Sequence, residues 1–445
     1  MSSRICSMAR VNTKFANGSD AIVPGSYELV TCKITCNDGQ VFDIRELIAK
    51  FVIDESIHSA SIAATFNILD ANAYLEKLKM SGNERLDLRI ARRDINGERY
   101  TIDKELYISK IGMYAKTSPG NSTYVITALS KQAYLNSLLT VSEAFSGSVG
   151  VLVEKLCKDK LQIDPFLINK DTKDIIKGVY PRMRPLALIH WLLRRAYDNE
   201  TPYYFYESFC HGVTLDSYEN MSNADVYETY NHTPFSDTIV GSVDNYEQQR
   251  TRVIHLSTDK MDISQYSSAQ KGAYSSTLHT IDIANKTYKK SKYTYSSKKI
   301  GKLNNNQPFS SNIKFNDRSI DSYTEAKNHY ISLNSKAFGN ISNYNTPADN
   351  SICMANAYRE NLNAFILDIR INGDLEIASG KKVRLAVRKG VNVSESDEST
   401  FDKFLSGNFL VDSIRHSFDT EYTQTLTLKR DSYIESLDQL QIGGA

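Results

Sequence analysis

His416 lies within a few residues of Asp412, Ser413 and Asp419, the side-chain types of a general base, a nucleophile and an orienting carboxylate. Such groups act only when they converge in space. Along an extended chain successive side chains alternate between two faces, so this cluster predicts a histidine that fills a hairpin face rather than a catalytic base. Two acidic groups, Asp54/Glu55 and Glu395/Asp397/Glu398, have the residue types of glycoside cleavage. Neither sits among aromatic subsites or apolar residues that would form a pocket, which predicts acidic surface. Lysines 286, 289, 290, 292, 298, 299 and 302, interleaved with Tyr288, Tyr293 and Tyr295, combine phosphate-binding charge with stacking rings. The simpler expectation for that run is a solvated loop facing outward.

Six cysteines, at 6, 32, 36, 157, 210 and 353, show no metal-ligand spacing and predict reduced, mostly buried thiols. Phosphate-loop, zinc-protease and serine-hydrolase signatures are missing. The residues therefore predict no catalytic, cofactor-binding or metal site.

The elements that would position these side chains are mostly strands. Gly407 to Asp431 reads as one β-hairpin. Phe409, Val411, Ile414, His416 and Phe418 alternate along its first strand, with a slip between Val411 and Ile414 that predicts a bulge; Leu426 and Leu428 alternate with Thr423, Thr425 and Thr427 along its second. An earlier set repeats the pattern in the same order: Leu86, Leu88 and Ile90 match Val383, Leu385 and Val387, Ile108 and Ile111 match Val411 and Ile414, and Ile126 and Ala128 match Leu426 and Leu428. Two similar antiparallel β-domains, barrel or sandwich, are predicted in one chain.

Between them the apolar period changes to that of helices. Lys131 to Ala144 reads as a helix, and Ser148 caps a second that buries Leu152, Val153, Leu156 and Leu161. Pro185 opens a third with Leu186, Ile189, Leu193, Ala196 and Tyr197 on one face. Strands at Tyr203–Phe209 and Val213–Tyr218 cover them, and a further helix runs from about Asn350 to Asn363. Residues 286–312 are too poor in aliphatic side chains for a core of their own and predict a surface insertion. The fold class is α+β, mostly β. The expected division is a first β-domain over 1–129, a middle α+β domain over 130–242 and about 289–348, a second β-domain over 243–288 and 349–435, and a tail over 436–445.

Length and charge agree with this division. The 445 residues exceed the usual span of one domain, and 53 Lys+Arg against 52 Asp+Glu leave a net charge of +1, so no general attraction to nucleic acid or anionic lipid is expected. No apolar run approaches the ~18 residues of a membrane span, and the start lacks a signal-peptide core, which predicts folding in a cytosol without stable membrane association.

Phe51 to Ile90, Arg184 to Ser217, Ile371 to Val387 and the terminal hairpin with His416 and Arg430, taken in order, resemble the central baseplate hub protein of contractile-tailed bacteriophages, a family shared with the N-terminal part of VgrG-type spikes. The resemblance implies two tube-like β-domains per chain and a homotrimer around an axial channel. It further implies a structural role that joins a threefold central spike to a sixfold tail tube, with DNA in transit only. Implied partners are the spike protein, the tube ring protein, a tape-measure protein and surrounding baseplate components. Assembly would take place in the host cytoplasm into the virion tail, with lytic activity on a partner and none here. The competing classes are a β-rich tail-associated protein that binds host glycans, which needs clustered exposed aromatics although the one tryptophan, Trp191, lies within a helix, and a cell-wall-degrading enzyme, which needs a cleft with a perturbed carboxylate.

Overall fold

The computed structural model describes residues 24–71, 74–77, 80–93, 99–118, 121–172, 175–196, 201–232, 243–261, 263–283, 285–295, 303–304, 314–333, 348–389 and 401–432. Alternating segments of the early module become β1 (Glu28–Thr35), β2 (Ile48–Ser56), β3 (Ala63–Asp70), β4 (Arg85–Arg93), β5 (Arg99–Ser118) and β6 (Asn121–Ser130). They lie antiparallel in the order β2-β3-β6-β5-β4-β1. Ile34, Ile53, Phe66, Leu88, Ile108 and Ile126 come from all six strands and meet in a single core, so the sheet curls around its own apolar face.

The middle region packs helices Val149–Asp159 and Pro185–Leu193 against the hairpin β7 (Tyr203–Ser208) and β8 (Gly212–Ser217). Ser148 caps the first of these by accepting from Val151 N at 3.4 Å, and Pro185 sits in the first turn of the second. One helical expectation changes and another widens. The helix begun at Lys131 ends at Leu138, because Ala144–Ser148 leaves it as a strand paired with Ile175–Val179. Helix Pro185–Leu193 keeps the expected face, with Ile189 and the following Ala196 buried and Leu186 and Leu193 half-buried against the same core, and widens it by Leu188 and Leu192; Tyr197 lies outside the described residues.

The chain then forms β9 (Thr229–His232), β10 (Val253–Ser257), β11 (Ser275–Asp282), β12 (Thr287–Thr294), β13 (Asn328–Leu333), β14 (Phe365–Asn372), β15 (Lys382–Val387), β16 (Gly407–Phe418) and β17 (Tyr422–Arg430). In the late module the order is β10-β14-β17-β16-β15-β9. Its first five strands reproduce β2-β3-β6-β5-β4 in order and direction, and the likeness extends to register. Ile108 faces Ala128 and Ile111 faces Ile126, with a bulge after Ile108; Val411 faces Leu428 and Ile414 faces Leu426, with a bulge after Val411. Leu86 faces Leu106 as Val383 faces Phe409. At the other edge Ile48 faces Ile68 and Phe51 faces Phe66 around a bulge, as Val253 faces Ile371 and Leu256 faces Ile369 around another. A one-residue slip would invert every face, so agreement across three strand pairs and two bulges identifies the modules as structural repeats. Their sixth strands differ: β1 runs antiparallel to β4, whereas β9 runs parallel to β15.

The strand β11, expected within the second β-domain, instead pairs with β12 and β13 in a separate three-stranded sheet. Leu278, Tyr293, Tyr295 and Leu303 pack with Met354 and Tyr358 of helix Ala348–Asn363. Part of the polar stretch 286–312 therefore does contribute to a core, because tyrosine rings supply the apolar area that its few aliphatic residues do not.

Candidate functional site: the seam between the modules

Strand β16 is shared. Its first residues pair with β15, and from Ser413 to Phe418 it pairs with β2 of the early module, Ser413 opposite Ser56 and Phe418 opposite Phe51. Both modules thereby belong to one continuous 13-stranded sheet. The rings of Phe51 and Phe418 stack at 4.4 Å and those of Phe418 and Tyr422 at 4.3 Å, so the late hairpin inserts aromatic area into the early core. On the outer face Arg415 Nε lies 2.7 Å from Asp54 Oδ1, with the side chains 62% and 44% exposed. An ion pair this wet contributes little. Asp54→Asn is expected to lower stability by no more than about 1 kcal/mol, read from the urea midpoint.

Inside the seam the chemistry is polar and dry. Glu55 follows Phe51 and Ile53 on the inward face of β2, and its carboxylate accepts from Ser379 N at 2.6 Å, from Ser379 Oγ at 2.9 Å and from Phe209 N. Nε2 of the buried His416 stands 3.7 Å from Glu55 Oε2. Gln424 Nε2 reaches His416 Nδ1 at 3.2 Å, and Tyr422 Oη lies 2.8 Å from the same nitrogen. With the Gln424 amide donating to Nδ1, the ring Nε2–H is directed at Glu55. Burial pushes the Glu55 carboxyl up, but the neighbouring His416 and the backbone N–H groups of Phe209 and Ser379 outweigh it and hold its pKa below the ordinary value.

Two further carboxylates extend the seam. Glu207, at the end of β7, accepts from Gln132 Nε2 at 2.6 Å, Ile62 N at 3.0 Å and Ser130 Oγ, which fastens the middle hairpin to the early module. Asp374, in the loop after β14, meets Arg92 of β4 at 3.1 Å and accepts from Tyr227 Oη at 2.9 Å. Its backbone pairs twice with the Gln424 side chain, at 2.8 and 2.7 Å. Most of these groups spend their hydrogen bonds on another part of the chain, whereas His416 Nε2 has no partner within hydrogen-bond distance. The arrangement locks three regions into one geometry, with His416 and Glu55 buried inside it.

The candidate residues are thus separated. Asp412 does not orient His416; it meets His58 Nε2 at 3.0 Å and Lys429 Nζ at 2.9 Å. Asp419 lines a shallow cleft of about 350 Å³ with Tyr27, Arg45 and Phe418. Asp54 faces solvent while Glu55 faces the core, so they form no catalytic pair. Glu395, Asp397 and Glu398 lie outside the described residues, as do Lys298, Lys299 and Lys302. Lys289, Lys290 and Lys292 are exposed on β12 beside exposed Tyr288, but Tyr293 and Tyr295 are buried and cannot stack a base. Cys32, Cys36, Cys157, Cys210 and Cys353 are buried. Glu207, Asp374 and Gln424 were missed by sequence reasoning. Their available signal was a polar residue in a core register, as with Gln424 between inward-facing Tyr422 and Leu426.

Asp412 gives the seam a pH signature. Burial raises its pKa, and His58 and Lys429 lower it by more, so the native value lies below the ordinary one. A depressed native pKa contributes stability that is complete above the unfolded value, near 4, and is lost as pH falls through the native value. The stability gap between the wild type and Asp412→Asn should close as pH falls below about 4. Urea titrations at stepped pH check this.

No protein-family model and no curated protein sequence matches the chain. Solved structures do. The 43 kDa tail protein of prophage MuSo2 from Shewanella oneidensis aligns over 91% of this chain and 98% of its own, with a TM-score of 0.52 at 12% identity. A tail protein from Neisseria meningitidis aligns over 91% and 97%, with a TM-score of 0.49 at 12% identity. A type VI secretion system component from E. coli, described as similar to the T4 bacteriophage tail proteins gp27 and gp5, aligns over 93% and 80%, with a TM-score of 0.42 at 11% identity. The chain has the fold of the MuSo2 tail protein over 91% of its length. That agrees with the α+β, mostly β architecture expected of a tail hub.

Proposed function

We propose that the protein is a structural hub of a phage-type tail, a homotrimer that adapts a threefold spike to a sixfold tube around an open channel. The observation that carries this reading is the register-level repeat of two β-modules in one chain. Three copies supply six similar modules, which resolves the mismatch between threefold and sixfold neighbours without a second gene product. The seam supports the same role: buried carboxylates clamped by backbone N–H groups fix the angle between the modules, as a ring component requires. The inaccessibility of His416 and Glu55 supports a non-enzymatic part, with any lytic chemistry on a partner. A spike protein on one side and a tube ring on the other are the proposed neighbours, within a virion tail. Among the described residues no helix is long and apolar enough to cross a membrane.

Sedimentation equilibrium of the full chain tests the proposal. A mass three times the 50.2 kDa of one chain is expected; a monomer at micromolar concentration contradicts it.

A further inference from the structure

The insertion sheet carries a charge pattern that the hub role does not use. From Ile283 to Asn316 the chain holds eight lysines and no aspartate or glutamate, in a protein of net charge +1. Lys289, Lys290 and Lys292 of that run are exposed along β12, an edge strand of the sheet β12-β11-β13.

Alternation fixes what this edge presents. Tyr295 N donates to Tyr274 O at 2.8 Å, one step beyond the β11–β12 pairs, so Tyr293, Ser291 and Lys289 turn their backbone groups toward β11. Thr277 N donates the other way, to Lys327 O beside β13 at 2.8 Å, which agrees with this phase. The intervening Tyr288, Lys290 and Lys292 turn their N–H and C=O groups to the outer edge, where no described strand meets them. Their side chains share the outer face, opposite Ile281, His279 and Thr277, while Leu278 and Tyr293 belong to the core beneath. That face is basic at one end and apolar at the other, where Tyr288 is 61% exposed and Ile281 44%. Lys290 meets Glu325 at 3.7 Å, but the Glu325 side chain is 84% exposed and a pair so wet contributes little.

We propose that the outer edge of β12 receives an extended acidic segment of a second protein as an added antiparallel strand. The segment exchanges backbone hydrogen bonds with Tyr288, Lys290 and Lys292, and its alternate side chains meet the outer face, two carboxylates against the lysines and an apolar residue against Tyr288. A nucleic acid matches the charge but has no peptide ladder to offer. The rings it would use are stacked on one another, His279 on Tyr288 at 5.8 Å and on Tyr330 at 4.7 Å. The edge belongs to the insertion, so its occupancy does not depend on the trimeric reading.

Fluorescence polarisation of the full chain with the labelled peptide Val-Thr-Glu-Thr-Glu-Thr-Val tests the proposal. Saturable binding is expected at about 50 mM salt, where screening is weak. Lys290→Glu combined with Lys292→Glu should weaken it by about tenfold or more, and Lys290→Arg combined with Lys292→Arg should retain it. The same peptide N-methylated at both glutamates keeps its charge, loses the donors that face β12, and should not bind. Binding that survives the methyl groups overturns the strand addition, and binding that survives the charge reversal overturns the site. No binding by the unmodified peptide overturns the proposal outright. A single-stranded oligonucleotide that binds in its place overturns the assignment to a protein.

Discussion

Glu55→Ala should destabilise the chain by about 3–5 kcal/mol, the usual cost of breaking a buried charged network by removing one partner. The loss has three parts. The N–H groups of Phe209 and Ser379 remain buried without their acceptor, the Ser379 hydroxyl loses its partner, and His416 Nε2 faces an apolar void. Glu55→Gln keeps the volume and one acceptor and should cost less, about half as much, because the amide NH₂ is presented where two donors already converge. Urea unfolding followed by tyrosine fluorescence checks both. A loss below 1 kcal/mol for the alanine variant would mean that the modules are held by the Phe51, Phe418 and Tyr422 stack alone.

Arg430 should be nearly as sensitive. Its guanidinium is fully buried at the end of β17, donating to Ser406 O at 2.7 Å and to Phe404 O, and lying 3.8 Å over Phe365 and 4.9 Å from Phe409. A planar fork sandwiched by rings satisfies carbonyls that the loop before β16 leaves pointing inward. Arg430→Ala should cost about 3–5 kcal/mol by combining a cavity with two unmet carbonyls. Arg430→Lys retains charge but neither the fork nor the stack, and should recover less than half of the loss. Thermal melts of the three proteins measure the order.

Local pattern made the modules legible and little else. Alternation in Gly407–Asp431 placed the closing hairpin and its bulge, since one face of each strand meets the core and the other meets solvent or outer packing. The matched triplets around Leu86 and Val383 revealed the repeat because paired strands preserve apolar positions when identities drift. The seam was not legible. Its contacts join residues far apart in the chain, 324 positions for Ser379 and Glu55, and a glutamate in a core register has the same local pattern whether it is clamped or exposed. The insertion was misread for a compositional reason: Tyr293 and Tyr295 alternate with Lys292 and Thr294 as in a half-buried strand, but a search for aliphatic residues passes over them. Helix Ala348–Asn363 turns Cys353, Met354, Ala357, Tyr358 and Leu362 inward, because its partner is the insertion sheet as well as the late module.

Two repeated modules per chain, joined through β16 and β2, are proposed to give three chains the outline of a sixfold ring. End-on electron-microscope images of the purified assembly test that claim most directly. Six similar lobes around an open centre, with threefold symmetry distinguishing two alternating kinds, are the expected projection. Three lobes, a twofold particle or a filled centre would contradict the account.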